Sequence, residues 1–519
     1  MAGTVTSNLI DISLCEATTG WTSLGGTLAV NDPTVFDAKQ GSYCLQVYGA
    51  AAGDRGAEWL WTTDQDFSDK ILVIWMAFSK KNYGANPVKF KLTDAVGNWS
   101  EWNMFSQGEL PHGGWIPWAL KPTVTPDAIS GTLDLATIRK FSWLTVAGAA
   151  KVYFYWDAVR YGYGLSIKSG TEASPAVLED FVIAENTNAY GIVEKYNGIY
   201  FVQGILTIGS LTAEESTYFK DLSQVIQFKS MKGEPSGFYE IKGQNATSGA
   251  GTTEIYFGDP TSEVSGLFIK APSAMKFKLT MSDTYITKFG FYGCSFVNAD
   301  TIALQPYNAD KKLVNCNFET CAEVLANTCA MTGCNFISSA GRAVKISSAS
   351  HNVTKSNFIN CQTAIHHDVG GPSGTPLEYD YDALMFTGGT YHIENSAVTP
   401  NFYIDIDRLN GSNPDAAKIN NSNGGSTTIL PISVILTLTG LIAGSDVRIM
   451  NAGTTTILAG TDNSTTTFDY SYNYGEYPNV DIIVLHLDYE YFRLDNFTPG
   501  SSNASLPIPL RKDRWYSNP

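Results

Sequence analysis

The sequence carries little charge for its length. Only 16% of its 519 residues are charged, against about 25% in a typical soluble protein. The 34 Lys and Arg are outnumbered by 50 Asp and Glu, which gives a formal net charge of −16. Such a chain as a whole repels phosphate backbones, so we expect no broad nucleic-acid binding. With 44% hydrophobic residues, disorder driven by excess charge is excluded as well.

Long apolar runs are also missing. The longest uncharged apolar stretch, residues 429–444, is interrupted by Pro431 and Gly440 and alternates like a strand. It falls short of the roughly 18–20 apolar residues that a membrane-spanning helix needs. The first twenty residues lack the basic start and the apolar run of a signal peptide. We therefore expect neither membrane insertion nor signal-directed export.

Metal and cofactor motifs are absent from the sequence. The eight Cys form no C-x-x-C pair, and the six His show no ligand spacing beside them. No phosphate-binding loop, dinucleotide fingerprint, nucleophile elbow or zinc helix is present. The sequence thus predicts no metal site and no cofactor.

Aromatic and β-forming residues are abundant instead. The chain contains 27 Tyr, 26 Phe and 11 Trp, and Gly, Ser, Thr and Asn take the place of helix formers. This composition predicts an all-β fold. A length of 519 residues exceeds a single ordinary core and is typical of two to four domains.

Residues 1–165 are predicted to form a Trp-rich antiparallel sandwich of jelly-roll type. Ten of the 11 Trp lie in this part of the chain. Short alternating runs such as 87–95 are separated by Gly, Pro, Asn and Asp clusters, as in antiparallel sandwiches. The final run, 151–162, resembles the closing strand of jelly-roll carbohydrate-binding modules, and one of its faces carries Tyr153, Tyr155 and Asp157.

Residues 166–425 contain a repeat that is typical of a parallel β-helix. Four segments, GCSF, NCNF, GCNF and KSNF, each end in a Phe, namely Phe296, Phe318, Phe336 and Phe358. These lie about twenty residues apart, and the residue two positions before each is Cys, Cys, Cys and Ser. Short β-rich units of this period bury their apolar faces by stacking on one another. We predict a right-handed parallel β-helix with an inward Cys-x-Phe ladder.

The last part of the chain is predicted to form a small sandwich and a tail. Residues 429–505 hold five to seven short alternating strands, which indicates an immunoglobulin-like β-sandwich. The preceding segment 418–428 has the composition of a linker. The tail, 506–519, is basic and aromatic, and we predict that it docks on an acidic neighbour through Arg511, Lys512, Arg514 and Trp515.

Five Cys occupy repeat-matched positions. At such positions we expect buried thiols that pack as small apolar side chains, in preference to disulfides or metal ligands. They are Cys294, Cys316, Cys321, Cys334 and Cys361.

Two pairs of acids are the candidate catalytic residues. Asp405 and Asp407 point to one face of a strand, about 7 Å apart by strand geometry, which lies in the range for an inverting glycosidase. Asp380 and Asp382 repeat the pattern, close in sequence to a pair of His. Each pair is either a solvated strand face or the acid and base of a β-helix polysaccharide-cleaving enzyme.

The Trp residues also have two interpretations. A sandwich can bury Trp in its core or at a subunit interface, yet sugars bind by stacking on exposed aromatic faces. Several of these Trp lie in loop sequences rich in Gly, Pro and Asn, where burial is harder to arrange. The candidate glycan-binding residues are Trp59, Trp61, Trp99, Trp102, Trp115 and Trp118.

The order of a lectin-like sandwich, a β-helix and an Ig-like sandwich resembles virion proteins of tailed bacteriophages: tail fibres, tailspikes and head fibres. The best local match is TLTGLIAGSDVRIMNAGTTTILAG followed by VDIIVLHLDYEYFRLDNF, which looks like the terminal β-sandwich of phage structural proteins. The resemblance implies a homotrimer that assembles in the host cytoplasm with other virion proteins and becomes extracellular on the virion.

We therefore expect a non-enzymatic virion component, a fibre, spike or decoration protein, that supports virion assembly and attaches to host-surface glycan. A β-helix closes its backbone hydrogen bonds between coils, which suits a rigid spacer. The alternative is a tailspike depolymerase, a polysaccharide hydrolase or lyase that uses the paired carboxylates. A third hypothesis, a secreted pectate-lyase-like protein or adhesin of a bacterium, conflicts with the missing export signal.

Overall fold

The computed structural model is nearly all β, as the composition predicts. Strands account for 58% of the structure and helices for 4%. The chain divides into two compact units, Met1–Ile346 with Asn360–Gln362 and Ser347–Ile359 with Thr363–Pro519. In the described residues, no helix is long and apolar enough to cross a membrane. The structure describes residues 3–78, 86–106, 114–148, 152–211, 214–222, 224–229, 239–245, 251–259, 268–270, 277–281, 286–304, 311–325, 330–349, 351–372, 374–396, 402–422, 424–430, 433–473, 477–500 and 503–512.

Within the described residues, the first unit opens with twelve strands. They are β1 (Gly3–Ser13), β2 (Trp21–Gly25), β3 (Thr27–Val30), β4 (Leu45–Tyr48), β5 (Gly53–Gln65), β6 (Ile71–Phe78), β7 (Pro87–Asp94), β8 (Trp99–Ser106), β9 (Ile116–Leu120), β10 (Ala128–Ser130), β11 (Ile138–Ala147) and β12 (Phe154–Ser169), with a short 3-10 helix at Leu135–Thr137. One antiparallel sheet has the order β10-β8-β7-β11-β5-β2. The other is built on β12, which pairs with β1, β4 and β6, while β3 and β9 pair with β4 and β6.

The two sheets pack around an aromatic core, and we call this part the first sandwich. The ring of Trp156 lies edge-on to Trp21 at 5.5 Å and to Trp143 at 5.0 Å between centroids. Strand β7 shows how the pattern is set, because Phe90 and Leu92 are fully buried in this core while the residues between them face outward. The period of two along each strand therefore separates a core face from a solvent face.

After β12 the chain forms helix α1 and then a series of short strands. They are α1 (Leu178–Asn188), β13 (Val193–Tyr196), β14 (Ile199–Val202), β15 (Ile205–Ile208), β16 (Thr217–Asp221), β17 (Val225–Phe228), β18 (Tyr239–Gly243), β19 (Thr253–Phe257), β20 (Phe268–Lys270), β21 (Phe277–Met281), β22 (Ile286–Tyr292), β23 (Ser295–Val297), β24 (Ala299–Leu304), β25 (Lys311–Val314), β26 (Asn317–Glu319), β27 (Val324–Leu325), β28 (Ala330–Thr332), β29 (Asn335–Ile337) and β30 (Arg342–Ile346).

All of these strands except β13, which pairs antiparallel with β14, build three parallel ladders, which we call the coil stack. Every third strand pairs in parallel with its counterpart one coil further on. One ladder holds β14, β17, β20, β23, β26 and β29. The second holds β15, β18, β21, β24, β27 and β30, and the third holds β16, β19, β22, β25 and β28.

Repeated residues fill the interior of the coil stack. The rings of Phe296 and Phe318 stack at 5.1 Å, and those of Phe318 and Phe336 at 4.8 Å and 6°. The thiols of Cys316 and Cys321 each donate to a backbone carbonyl of the preceding coil at 3.3 Å. All five repeat-matched Cys are at most 2% exposed, and none of the seven Cys in the described residues forms a disulfide. The prediction of buried thiols is confirmed.

Strand β12 belongs to both the first sandwich and the coil stack. Its first half pairs with β4 and β6, whereas Gly164–Ile167 pair in parallel with β15. Helix α1 follows this strand and buries Leu178, Phe181 and Val182. No break in the hydrogen-bonded backbone therefore separates the sandwich from the first coil.

A buried polar cluster joins the two parts at this strand. The indole of Trp75 and the guanidinium of Arg160 both donate to the carbonyl of Ala189, just beyond α1. The carboxylate of Glu185 accepts three backbone N–H groups between Gly191 and Val193. The carboxylate of Asp157, which has no exposed surface, accepts the N–H groups of Lys39, Gln40 and Ala158 at 2.7–2.9 Å.

The second unit begins with the same three-strand coil pattern. Its strands are β31 (Val353–Thr354), β32 (Asn357–Ile359), β33 (Thr363–His367), β34 (Leu377–Asp382), β35 (Met385–Thr387), β36 (Tyr391–Asn395), β37 (Tyr403–Leu409), β38 (Ile419–Asn421) and β39 (Ser426–Ile429), with a 3-10 helix at Ala416–Lys418. The parallel ladders are β31-β34-β37-β39, β33-β36-β38 and β32-β35.

The second unit ends in two small packed sheets, the second sandwich. Its strands are β40 (Ser433–Thr439), β41 (Asp446–Asn451), β42 (Ile457–Thr461), β43 (Thr467–Asn473), β44 (Val480–Leu485), β45 (Phe492–Phe497) and β46 (Ala504–Pro507). The sheet orders are β43-β40-β46 and β42-β41-β44-β45. Apolar side chains from both sheets form one core, which includes Leu438, Ile449 and Ile482.

Candidate functional site

The six candidate Trp residues lie in different environments. Trp102 is 1% exposed and donates its indole N–H to the carbonyl of Val124, so its faces are closed to a ligand. Trp59, Trp61 and Trp118 are half-buried and pack against the core of the first sandwich. These four side chains therefore contribute mainly to the packing of that sandwich.

Trp115 and Trp99 lie away from that core. Trp115 packs on Phe36 at 5.3 Å in a small aromatic cluster that also contains Tyr155. Trp99 begins β8 and lies opposite Thr93 of β7. Because Trp102 points inward, the period of two places Trp99 and Glu101 on the outward face of the sheet. Trp99 faces a ligand-sized space.

That space is a cleft of about 550 Å³ on the outward face of the sheet β10-β8-β7-β11-β5-β2 of the first sandwich. Four neighbouring strands, β5, β11, β7 and β8, supply its floor, and the turn after β7 supplies one wall. Its lining consists of Glu58, Leu60, Lys91, Thr93, Asp94, Ala95, Val96, Gly97, Trp99, Arg139 and Lys140. We call it the Trp99 cleft.

The charged side chains of the Trp99 cleft are arranged in defined contacts. The Lys140 ammonium lies 3.3 Å from a Glu58 carboxylate oxygen, and Arg139 pairs with Asp64 just outside the lining. The Lys91 ammonium lies over the Trp99 ring, 4.1 Å from its centroid. The cleft thus combines an aromatic face with donors and acceptors that can bind hydroxyl groups.

The turn that walls the cleft is held by Asp94. Burial raises the pKa of the Asp94 carboxyl, but the N–H groups of Asp134, Asn98 and Val96 outweigh burial and hold its pKa below the ordinary value. The carboxylate therefore stays ionised and fixes the turn. A fixed wall keeps the cleft preorganised for a ligand.

The candidate catalytic acids lie on neighbouring strands of the coil pattern in the second unit. Parallel pairing puts Asp380 beside Asp407. One carboxylate oxygen from each of these two, and one from Glu378, lie within 4.8 Å of one another. The outward face of β34 and β37 is therefore strongly acidic, with Asp405 on the same face. Asp382 ends β34 and accepts a hydrogen bond from the side chain of Asn410.

The nearby His residues do not join these acids. His367 is fully buried, and its Nε2 lies 2.9 Å from the hydroxyl of Tyr381. Tyr379 and Tyr381 point inward while Asp380 and Asp382 alternate outward, so the strand wall separates His367 from the carboxylates. The buried His367 keeps a pKa well below its ordinary value because burial disfavours the imidazolium.

The predicted docking tail is only partly described. Arg511 and Lys512 are exposed, and backbone pairing holds both, since Glu490 N donates to Arg511 O and Tyr489 bridges to Lys512. Arg514 and Trp515 lie outside the described residues. Ile508 is 3% exposed in the core of the second sandwich, which anchors the start of this segment.

Sequence reasoning found Trp99 but missed the polar residues around it. Glu58, Lys91 and Lys140 lie on three strands that are up to 82 positions apart in the chain. Only the pairing of β11 with both β5 and β7 brings them together. The available signal was the alternation in PVKFKLTDA, where each Lys stands between two inward residues and so faces outward.

No protein-family model matches the sequence, and no curated protein matches it. Solved structures match a part of the chain. The family 11 carbohydrate-binding module of the cellulosomal cellulase Lic26A-Cel5E of Clostridium thermocellum is 15% identical at a TM-score of 0.21, over 30% of this chain and 95% of that chain. The CBM22-1 xylan-binding domain from Paenibacillus barcinonensis Xyn10C is 19% identical at a TM-score of 0.21, over 31% and 95%.

An exo-beta-agarase is 16% identical at a TM-score of 0.23, over 30% of this chain. The match spans 24% of the agarase chain, about a quarter of its length. Carbohydrate-binding modules are thus among the structures to which part of this chain is similar.

Proposed function

We propose that the protein binds a glycan in the Trp99 cleft and serves as a non-enzymatic virion component of a tailed phage, a fibre, spike or decoration protein that attaches to host-surface polysaccharide. The observation that carries the glycan proposal is the Trp99 ring, which lines an outward cleft of about 550 Å³ together with charged side chains. This volume lies within the usual range for ligand sites, about 300–1,000 Å³.

The chemistry of the cleft suits a sugar ring. A pyranose has an apolar C–H face that stacks on an indole ring, and hydroxyl groups that exchange hydrogen bonds with charged side chains. Lys140 and Glu58 offer a donor and an acceptor in contact with each other. Paired β-strands fix the backbone that carries these side chains, so binding costs little additional conformational entropy.

We also propose the finer architecture that the virion role requires. The coil stack, with the coils of the second unit, is a right-handed parallel β-helix over residues 166–425, between a jelly-roll-like sandwich at 1–165 and an Ig-like sandwich at 429–505. Its support is the three parallel ladders and the stacked Phe rings. Such a rigid spacer suits a homotrimer that assembles in the host cytoplasm, with a tail at 506–519 that docks on other virion proteins.

The test is binding of the full chain to a panel of soluble polysaccharides by affinity gel electrophoresis. The panel includes xylan, mixed-linked β-glucan and bacterial O-antigen polysaccharides. For any polysaccharide that binds, Trp99→Ala should weaken binding about tenfold, equivalent to about 1.4 kcal/mol. Trp115→Ala, a half-buried Trp outside the cleft, is the matched control. Equal binding by Trp99→Ala and the wild type would exclude this cleft as the site.

The alternative function is a depolymerase that uses the acids on β34 and β37. The juxtaposition of Asp380 and Asp407 favours it. The same polysaccharides should therefore be assayed for new sugar ends. Release of ends that the double variant Asp405→Asn, Asp407→Asn abolishes, without loss of the fold, would replace the non-enzymatic proposal.

A further inference from the structure

The Trp99 cleft contains a cation with no acidic partner. Its two other cations are matched, because Lys140 contacts Glu58 and Arg139 contacts Asp64. Within the residues that the structure describes, no carboxylate lies within ion-pair distance of the Lys91 ammonium, whose contact is the face of the Trp99 ring.

The acids of the cleft cannot take up this charge. Glu58 is already paired with Lys140, and Asp94 is buried and satisfied by the N–H groups of its own turn. The neighbouring Glu101 is paired with Lys89 at 2.8 Å. On a protein of net charge −16, the Lys91 ammonium is therefore the cation of this cleft that is open to a ligand carboxylate.

The position of Lys91 affects which sugars can stack on the Trp99 ring. Its ammonium covers one face of Trp99 through a cation–π contact. A neutral sugar that takes this face must displace the ammonium and offers it no carboxylate in return. A ligand carboxylate offers a charge-assisted hydrogen bond, which is stronger than the neutral kind. Binding then moves the ammonium and uncovers the ring in one step.

The rim of the cleft supplies apolar contact beside this cation. Leu60 is 57% exposed and Val96 is 82% exposed, and both line the space. Such side chains can contact the C–H groups of a sugar whose carboxylate lies at Lys91. A hexuronate combines these two features in one ring.

We infer that the Trp99 cleft recognises an acidic glycan, with a uronate carboxylate on Lys91 and the sugar ring on Trp99. This inference rests on the proposed glycan-binding function of the same cleft and names the class of its ligand.

The experiment compares acidic polysaccharides with their carboxyl-reduced forms, which keep the backbone and lose the charge. The probes are polygalacturonate, alginate and hyaluronate, each beside its reduced form, together with neutral xylan, all with the full chain. We expect at least one acidic probe to bind at least tenfold more tightly than its reduced form, and this difference to shrink between 50 and 500 mM NaCl, since salt screens exposed charges.

Two lysine variants identify the charge responsible. Lys91→Met keeps most of the stem and should abolish the preference for the acidic form. Lys89→Met is the matched control, because Lys89 lies on the same strand and face but is paired with Glu101 and is absent from the lining. An equal loss in both variants would indicate general charge attraction and would overturn the inference.

The two proposals fail in different ways. Binding of xylan or a reduced polysaccharide through Trp99, with no preference for the acidic form, would overturn the acidic-glycan inference and leave glycan binding standing. If none of these probes and none of the polysaccharides in the wider panel binds, the glycan function fails as well.

Discussion

Single residues in the coil turns show how the repeat is maintained. The residue two positions after each repeat Phe has a left-handed backbone, with φ of 63° at Asn298, 51° at Thr320, 53° at Ser338 and 53° at Asn360. Asn tolerates this conformation because its short side chain can bond locally, whereas a β-branched residue is crowded there. Thr320 is therefore the poorest fit of the four.

We predict that Thr320→Asn stabilises the protein. Removal of the β-branch from a left-handed position should contribute about 1 kcal/mol, and the new amide can still donate to the Asn298 side chain that Thr320 now contacts. Urea-induced unfolding measures the change. The reverse substitution at the equivalent turn, Asn298→Thr, should lower stability. Destabilisation by Thr320→Asn would contradict this account of the turns.

How much the sequence predicts depends on whether the residues recur from one coil to the next. The Cys and Phe ladders were visible because one coil repeats the next, so a single pattern fixes many contacts. The Trp99 cleft has no repeat, and its charged residues come from separate strands whose register the sequence does not reveal. The structure places Trp99 in a ligand-sized cleft. Trp99, Trp102 and Trp118, which the sequence indicated as loop residues, lie on strands β8 and β9, where the strand register decides whether each ring faces inward or outward.

At the scale of elements, β12 and the buried groups beside it hold the first sandwich and the first coil together. Helix α1, which follows β12, was missed by the sequence analysis. Its buried positions 178, 181, 182 and 185 have helical spacing, but a single short helix is hard to see in a chain dominated by alternating strands. The buried Asp157 carboxyl lies near the start of β12.

Asp157 should make stability depend on pH. Burial raises its pKa to about 7, even though three backbone N–H groups lower it. Because the folded state holds this proton more tightly than the unfolded state, the stabilisation is complete below about pH 4 and is lost as pH rises to about 7. The slope in this window is up to about 1.4 kcal/mol per pH unit.

The measurement is the melting temperature of the wild type and of Asp157→Asn between pH 4 and pH 8. The variant cannot titrate at this position, so the wild type should lose more stability over this range than the variant does. Parallel pH profiles for the two proteins would show that Asp157 does not titrate in this window.

At the scale of the whole molecule, the exposed apolar side chains of the second sandwich bear on assembly. Leu485 is 45% exposed, Leu487 75% and Tyr491 53%. Side chains of this kind, grouped near one turn, are typical of surfaces that are covered in an assembly. We therefore take this grouping as the candidate contact surface of the proposed homotrimer.

Light scattering of the purified chain measures its mass in solution and so tests the homotrimer. We predict a mass near three times 56.4 kDa, and Leu487→Glu should shift the mass towards that of a single chain, since it places a charge in an apolar contact. Asp488→Lys, at the next position, is a control for charge change alone. A wild-type mass near 56.4 kDa would contradict the homotrimer.

The shared strand β12 has a mechanical consequence. Tension along the axis of β12 loads its hydrogen bonds to β1, β6 and β15 in shear, so that many of these bonds must break at once. Force applied perpendicular to the strand, at a sheet edge, would break these hydrogen bonds one after another and at lower force. The first sandwich and the first coil should therefore respond to tension along β12 as a single body, which suits the proposed attachment role.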